Sequence, residues 1–143
     1  MTSAPTNERM GYAFLRFVFG LNICFHGLSR LVSDPHAFLA YLNKTMATAV
    51  LVPKATIPVF AAVLPWAEAI IGLLVLLGLF TRTALIAGSL VMILLMAGIS
   101  LAQDWNAAGL QLIYCIIYFV LLARLDWNHY SLDTLFRRSA SSN

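Results

Sequence analysis

Four stretches of this chain, about residues 10–32, 57–80, 84–102 and 109–125, are each apolar over the roughly 17 to 25 residues that a helix needs to cross a bilayer. That feature leaves few folds open. Hydrocarbon offers no partners for backbone N–H and C=O groups, so segments of this length and polarity must satisfy them internally, as helices. Composition agrees: 61% of the 143 residues are hydrophobic, 10% are charged and the mean hydropathy is +0.84, more apolar surface than a water-soluble domain of this size can hide. The predicted fold is an all-α membrane protein, an antiparallel bundle of four transmembrane helices forming a single membrane domain over residues 1–143.

The connections refine this. The stretch SDPHAFLAYLNKTMATAVLVPKATIP separates the first two spans. Asp34 before Pro35 is a helix start signal, and Phe38, Leu39, Leu42 and Met46 share one side, which predicts a short helix on the membrane surface. The other two connections, FTRT around Arg82 and AQDWNAAG around Asp104, are tight and make neighbouring spans antiparallel. SASSN closes the chain as a short polar tail.

Basic residues read as topology signals. Arg9, Arg82, Arg124, Arg137 and Arg138 flank the spans on the side of the termini, against Arg30, Lys44 and Lys54 on the other. The asymmetry predicts an inner-membrane protein with both termini in the cytoplasm. Tyr12, Trp127 and Tyr130 would form the inner aromatic belt, Tyr41 and Trp105 the outer one. The sequence pI near 9.1 comes from these dispersed residues, which form no basic face for nucleic acid. The N-terminal stretch, interrupted by Arg16, Asn22 and His26 and lacking a small-x-small cleavage pattern, reads as a retained first span.

Polar residues inside the spans carry what functional signal there is. At 100° per residue, Arg16, Asn22, His26 and Arg30 fall within an arc of roughly 120° on the first helix, and Phe14, Phe17, Val18, Leu21, Phe25, Leu28 and Val32 take the opposite arc. Glu68 shares the inward face of the second helix with Ala61, Pro65 and Gly72. Ser89, Met92, Met96 and Ser100 share a side of the third, and Gln111, Tyr114, Cys115, Tyr118 and Leu122 a side of the fourth. A charged side chain near a helix centre costs about 2.5 to 3.5 kcal/mol on insertion scales, so Arg16 and Glu68 are expected to pair. The predicted arrangement clasps Glu68 between Arg16 and His26, with Asn22 and Arg30 in the same buried network. Met92, Met96, Gln111, Tyr114 and Tyr118 are candidate pocket lining.

Two readings of that network stay open. It fixes helix register and nothing more, or it lines a site for a proton or for a polar head on an apolar body, such as a quinone. His26, His36 and His129 lie at three predicted depths, against a two-histidine haem. Cys24 and Cys115 sit in apolar segments at similar depth and read as packing residues before a redox pair, and Met92 and Met96 as core filler before a copper site. No metal site, Walker loop, GxGxxG, nucleophile elbow or HExxH is present in the sequence.

LRFVFGLNICFHGLSRL, followed about forty residues on by EAIIGLLVLLGLFTRTA, resembles the DoxX family of small bacterial membrane proteins, related to the DoxD subunit of thiosulfate:quinone oxidoreductase. The resemblance rests on Arg16, Gly20, Gly27 and Arg30 in the first helix, with arginine where the family has lysine, and on Glu68, Gly72, Gly78 and Arg82 in and after the second. It implies an inner-membrane protein associated with oxidoreductase systems. From it follows the expectation of an accessory or quinone-interacting subunit whose redox centre sits on a partner protein or membrane complex, the chain itself having no cofactor motif. The alternative is a non-enzymatic scaffold or assembly protein, alone or as a homo-oligomer.

Overall fold

The computed structural model describes residues 6–49 and 51–140; the side chains of Pro35, Arg138 and Ala140 and the last three residues of the SASSN tail lie outside the described ones. Six α-helices follow one another: α1 (Thr6–Val32), α2 (Pro35–Thr45), α3 (Thr56–Leu77), α4 (Thr81–Leu101), α5 (Trp105–Ala123) and α6 (Leu132–Ala140), and no strand occurs among the described residues. The helices α1, α3, α4 and α5 are long and apolar enough to cross a membrane. The chain is an integral membrane protein, and its outward faces meet lipid. Phe14, Phe17, Phe25, Trp66, Ile70 and Leu73 are exposed, as an apolar face must be when its solvent is hydrocarbon.

The α1–α3 pair is the tightest contact in the molecule. A Cβ added at Gly20 would overlap the backbone of Leu76, at Gly27 that of Ala69, and at Gly72 that of Cys24. These small residues form a ladder along which two antiparallel backbones touch, the packing that membrane helices use where hydrophobic burial gives no driving force. Onto this pair α4 packs through α3, and α5 through α4. Tyr12, Phe19, Ile23, Val75, Leu85, Met92, Tyr118 and Leu121 fill the space between.

Helix ends differ from the predicted boundaries for identifiable reasons. Where the sequence predicts a second span to residue 80, α3 stops at Leu77. Gly78 adopts φ +66°, and the Gly78 and Leu79 amides donate back to Val75 and Leu74 carbonyls, closing a Schellman turn. At the next helix, α4 begins three residues earlier than predicted. Asp104 caps α5, its side chain accepting from the Ala107 amide at 3.1 Å, so that helix starts at Trp105 rather than near 109. The helix predicted after Pro35 forms. Asp34 accepts from the His36 amide, Leu42 is buried, and Phe38, Leu39 and Met46 are half-buried.

The C-terminal end holds what the sequence reading missed. After a 3-10 turn at Leu125–Trp127, α6 folds back under the end of α3, with the Asp133 amide donating to the Gly78 carbonyl at 3.0 Å. Residues 139 and 140 of the supposed tail belong to this helix.

Candidate functional site

The ladder between α1 and α3 sets the register that places Glu68 beside the C-terminal third of α1. Glu68 is 7% exposed, and its Oε2 accepts a short hydrogen bond from Arg30 Nη1. His26 Nδ1 lies 3.6 Å from Oε1. His26 and Arg30 are four residues apart, one turn along the same face, so a single carboxylate from the facing helix meets both. Phe38 of α2 completes the group, its ring 4.3 Å from the Arg30 guanidinium carbon. Three elements thus converge on one buried carboxylate.

Burial within the triad is uneven, and that gives it a direction. The Glu68 side chain is 9% exposed and Arg30 21%, but His26 is 51% exposed. With Nδ1 turned to the carboxylate, Nε2 is the ring nitrogen available to an incoming group. A buried carboxylate behind a half-exposed imidazole is an arrangement that orients the ring.

Arg16 does not join this cluster, contrary to the predicted clasp. Its Nη1 donates to the Val75 and Leu76 carbonyls at 2.6 and 2.8 Å, and its Nη2 to the Tyr130 carbonyl at 2.7 Å. The reason is electrostatic as well as geometric. The last carbonyls of α3 lack the donors that a continuing helix would supply and carry the negative end of the helix dipole, so a buried guanidinium finds two acceptors there, Val75 sharing its oxygen with the Gly78 amide, and a third at Tyr130, without a carboxylate. Helical phase brought Arg16 to the inward arc, and the ladder's register then set it opposite the end of α3, well away from Glu68. Arg30 takes the place beside Glu68 that Arg16 was expected to fill.

The other singled-out residues scatter. Asn22 leaves the network for α5, where its Oδ1 accepts from the Tyr114 hydroxyl at 3.1 Å. Met92 and Tyr118 do share a space with Glu68: a cavity of about 20 Å³ between α1, α3, α4 and α5. It has room for one water and none for an aromatic ring. The Tyr118 hydroxyl, which a side chain at residue 88 would displace, makes no hydrogen bond to protein among the described residues. Met96 and Gln111 are half-buried and do not line that cavity, and the buried Gln111 Oε1 has no hydrogen-bond partner among the described residues. Cys24 and Cys115 are free thiols, the first packed on α3 and the second against the core. Among the described residues no group of three or more His, Cys, Asp or Glu side chains could hold a metal ion.

A second polar cluster, at the end carrying the termini, had not been singled out. Phe80 precedes α4 with φ +47° and offers no cap of its own; instead Asp133 of α6 accepts from the Phe80 and Thr81 amides at 2.7 and 2.8 Å and from the Thr81 hydroxyl at 2.8 Å. Asn128 donates to the same hydroxyl at 3.1 Å. Partial burial works to raise the Asp133 pKa, but these hydrogen bonds and Arg137 outweigh it and hold the carboxyl below its ordinary value. The Ser131-x-x-Thr134 pattern, in which Ser131 Oγ lies 2.9 Å from Thr134 Oγ1, is the signal that marks the start of α6.

The family model described as methylamine utilisation protein MauE matches residues 8–109, from the first turns of α1 into the start of α5. No curated protein and no solved structure matches. The match overturns the DoxX resemblance, since MauE is a different membrane family. The structure explains why that pattern misled. Gly20, Gly27 and Gly72 are there because two backbones touch, Gly78 because a helix must end, and Arg16 because its last carbonyls need donors. Any closely packed antiparallel pair of membrane helices faces these demands.

Proposed function

The chain belongs to the MauE family of membrane proteins, and from that premise we propose that it is an accessory membrane protein of an oxidative system, with His26, Glu68 and Arg30 forming a lipid-facing proton site at which the polar head of a quinone docks. The family's description ties it to methylamine utilisation; the redox centre that delivers electrons in such a system would belong to a partner protein. The observation that carries the reading is the unequal burial of the triad: a carboxylate sealed inside the bundle and an imidazole opening toward the acyl chains. Quinones partition into that layer, and their carbonyl oxygens accept hydrogen bonds. His26 Nε2 would donate to one such oxygen, Glu68 would orient the ring through Nδ1, and Arg30 would balance the charge of the carboxylate. The small central cavity excludes the ring from the interior, so docking takes place at the outer face of α1.

The count of basic residues supports an inner-membrane location with cytoplasmic termini. Arg30 is engaged by Glu68, which leaves Lys44 and Lys54 against Arg9, Arg82, Arg124, Arg137 and Arg138. In that orientation the triad lies toward the outer leaflet.

The test is purification from native membranes in mild detergent, with bound quinone and co-purifying proteins quantified together by mass spectrometry. Wild type is expected to retain quinone or a stoichiometric redox protein, and His26→Ala to lose quinone at unchanged melting temperature, because that side chain is half-exposed. A second reading has its own observation, the Arg30 guanidinium locked between Glu68 and Phe38, which ties α1, α2 and α3 together. On that reading the chain is a scaffold. Glu68→Gln would lower the melting temperature, and neither quinone nor a redox partner would be found with the wild-type protein.

A further inference from the structure

A cavity lies at the opposite end of the bundle from the triad. About 390 Å³ opens between the second turn of α1, the end of α3 and the C-terminal segment, with Arg9 and His129 among its walls and Leu77, Leu132 and Leu135 as its apolar surface. None of its lining residues is acidic. Arg9 Nε is buried there without a hydrogen-bond partner, and the Arg9 guanidinium makes no ion pair among the described residues. A guanidinium whose Nε is shielded in a pocket without a counter-charge gains from an anion that meets it there.

The level of the pocket in the bilayer narrows the choice of anion. It adjoins the last turn of α3, whose carbonyls Arg16 caps, and lies near the end of α5, where Tyr12 donates to the Leu121 carbonyl at 3.0 Å. Those are the ends of membrane spans, so the pocket sits at the headgroup layer. Its apolar lip continues outward: Leu135 and Phe136 of α6 are 57% and 62% exposed. A basic recess joined to an exposed apolar strip has the form of one kind of molecule, an acyl chain with a negatively charged head.

We infer that this pocket binds an anionic phospholipid, the phosphate on Arg9 and His129 and the upper acyl chain along Leu77 and Leu135. The phosphodiester offers the two adjacent acceptor oxygens that a guanidinium matches. This site is independent of the triad and of any quinone.

Native mass spectrometry of the full chain in neutral detergent tests it, with phosphatidylglycerol and phosphatidylcholine of identical acyl chains as probes. Phosphatidylglycerol is expected to bind about tenfold more tightly, because both lipids offer the phosphodiester but the choline cation of phosphatidylcholine already neutralises it, whereas phosphatidylglycerol brings a net negative charge to Arg9. Arg9→Gln should abolish that preference and His129→Gln reduce it, while Arg137→Gln, on exposed α6 surface, should leave it in place. Because Arg9 makes no hydrogen bond or ion pair among the described residues, its replacement is expected to leave the fold intact. Equal binding of the two lipids, or an undiminished preference in Arg9→Gln, overturns the assignment. Displacement of the lipid by millimolar glycerol 1-phosphate would replace it with a site for a soluble phosphate.

Discussion

At the scale of the residue, Arg16 shows how a correct phase leads to a wrong partner. Helical periodicity placed it inward, and it is inward, 4% exposed. Periodicity describes rotation about the axis of one helix and carries no information on the axial register between two. That register is set by where the α1 and α3 backbones touch, a property of both helices together. Glu68 and His26 were brought to the same neighbourhood by the same arithmetic because their depths happen to match in the folded register. Removing the Arg16 guanidinium should be among the most damaging single changes in the molecule. Arg16→Met removes three hydrogen bonds of a buried guanidinium, leaving Val75 with the Gly78 amide alone and Leu76 and Tyr130 without this donor, and is expected to cost roughly 3 kcal/mol or more, since hydrogen bonds to charged groups contribute about 1.5 to 3 kcal/mol each. Arg16→Lys should recover part of this, because an ammonium keeps the charge without the planar fork. Thermal unfolding in detergent measures both; a Met variant as stable as wild type would show that the cap contributes nothing.

At the scale of the element, the four spans were legible because length and apolarity are summed over some twenty residues, where local exceptions average out. The C-terminal helix was not. Nine residues provide little sum, and the partners that hold α6 are 53 and 52 residues away in sequence, at Phe80 and Thr81. Such a remote cap leaves no trace at the start of α4, where a local Ser, Thr, Asp or Asn would be sought. The contact has a pH signature. The Asp133 carboxyl titrates lower in the folded protein than the ordinary value of 3.8, so its contribution is fully present above that value and disappears as pH falls through its lowered folded pKa. Acidification should therefore release α6 while the spans stay folded. Limited proteolysis within residues 128–140 over a pH series is expected to show that release, and Asp133→Asn to show it already at neutral pH. Cleavage that is equally slow at every pH in both proteins would mean that α6 is held by its leucines alone.

At the scale of the whole molecule, the bundle is organised about one helix pair, with α4 and α5 added along its side. Glycines divide accordingly. Gly72 faces the Cys24 backbone with no room for a side chain, whereas Gly11, on the same pair of helices, has nothing within 4 Å of its would-be Cβ. Gly72→Ala must push α1 and α3 apart and is expected to destabilise by about 1 to 3 kcal/mol, the usual range for overpacking. Gly11→Ala should be neutral or stabilising, since alanine is the better helix former. The contrast can be read from two melting curves, and equal behaviour of the two variants would mean that the helix pair is loose. From the sequence both glycines lie within predicted spans, and the inward phase of Gly72 beside Glu68 does not say how closely a neighbouring backbone approaches it. Which of them touches a neighbour is decided by the register, the same quantity that assigned Arg30 to Glu68 and left Arg16 to the end of α3.

The three acceptors of Arg16 come from two distant parts of the chain, and synthesis runs in one direction. The first span enters the membrane bearing its guanidinium before any of them has been made. Val75 and Leu76 arrive with the second span, but Tyr130 follows only after all four have been translated. A nascent chain therefore carries an incompletely satisfied cation through most of its insertion, and completion of the protein is what quenches it. Chains cut short before residue 130 would retain that mark, a basis on which a membrane protease or insertase could tell unfinished copies from finished ones.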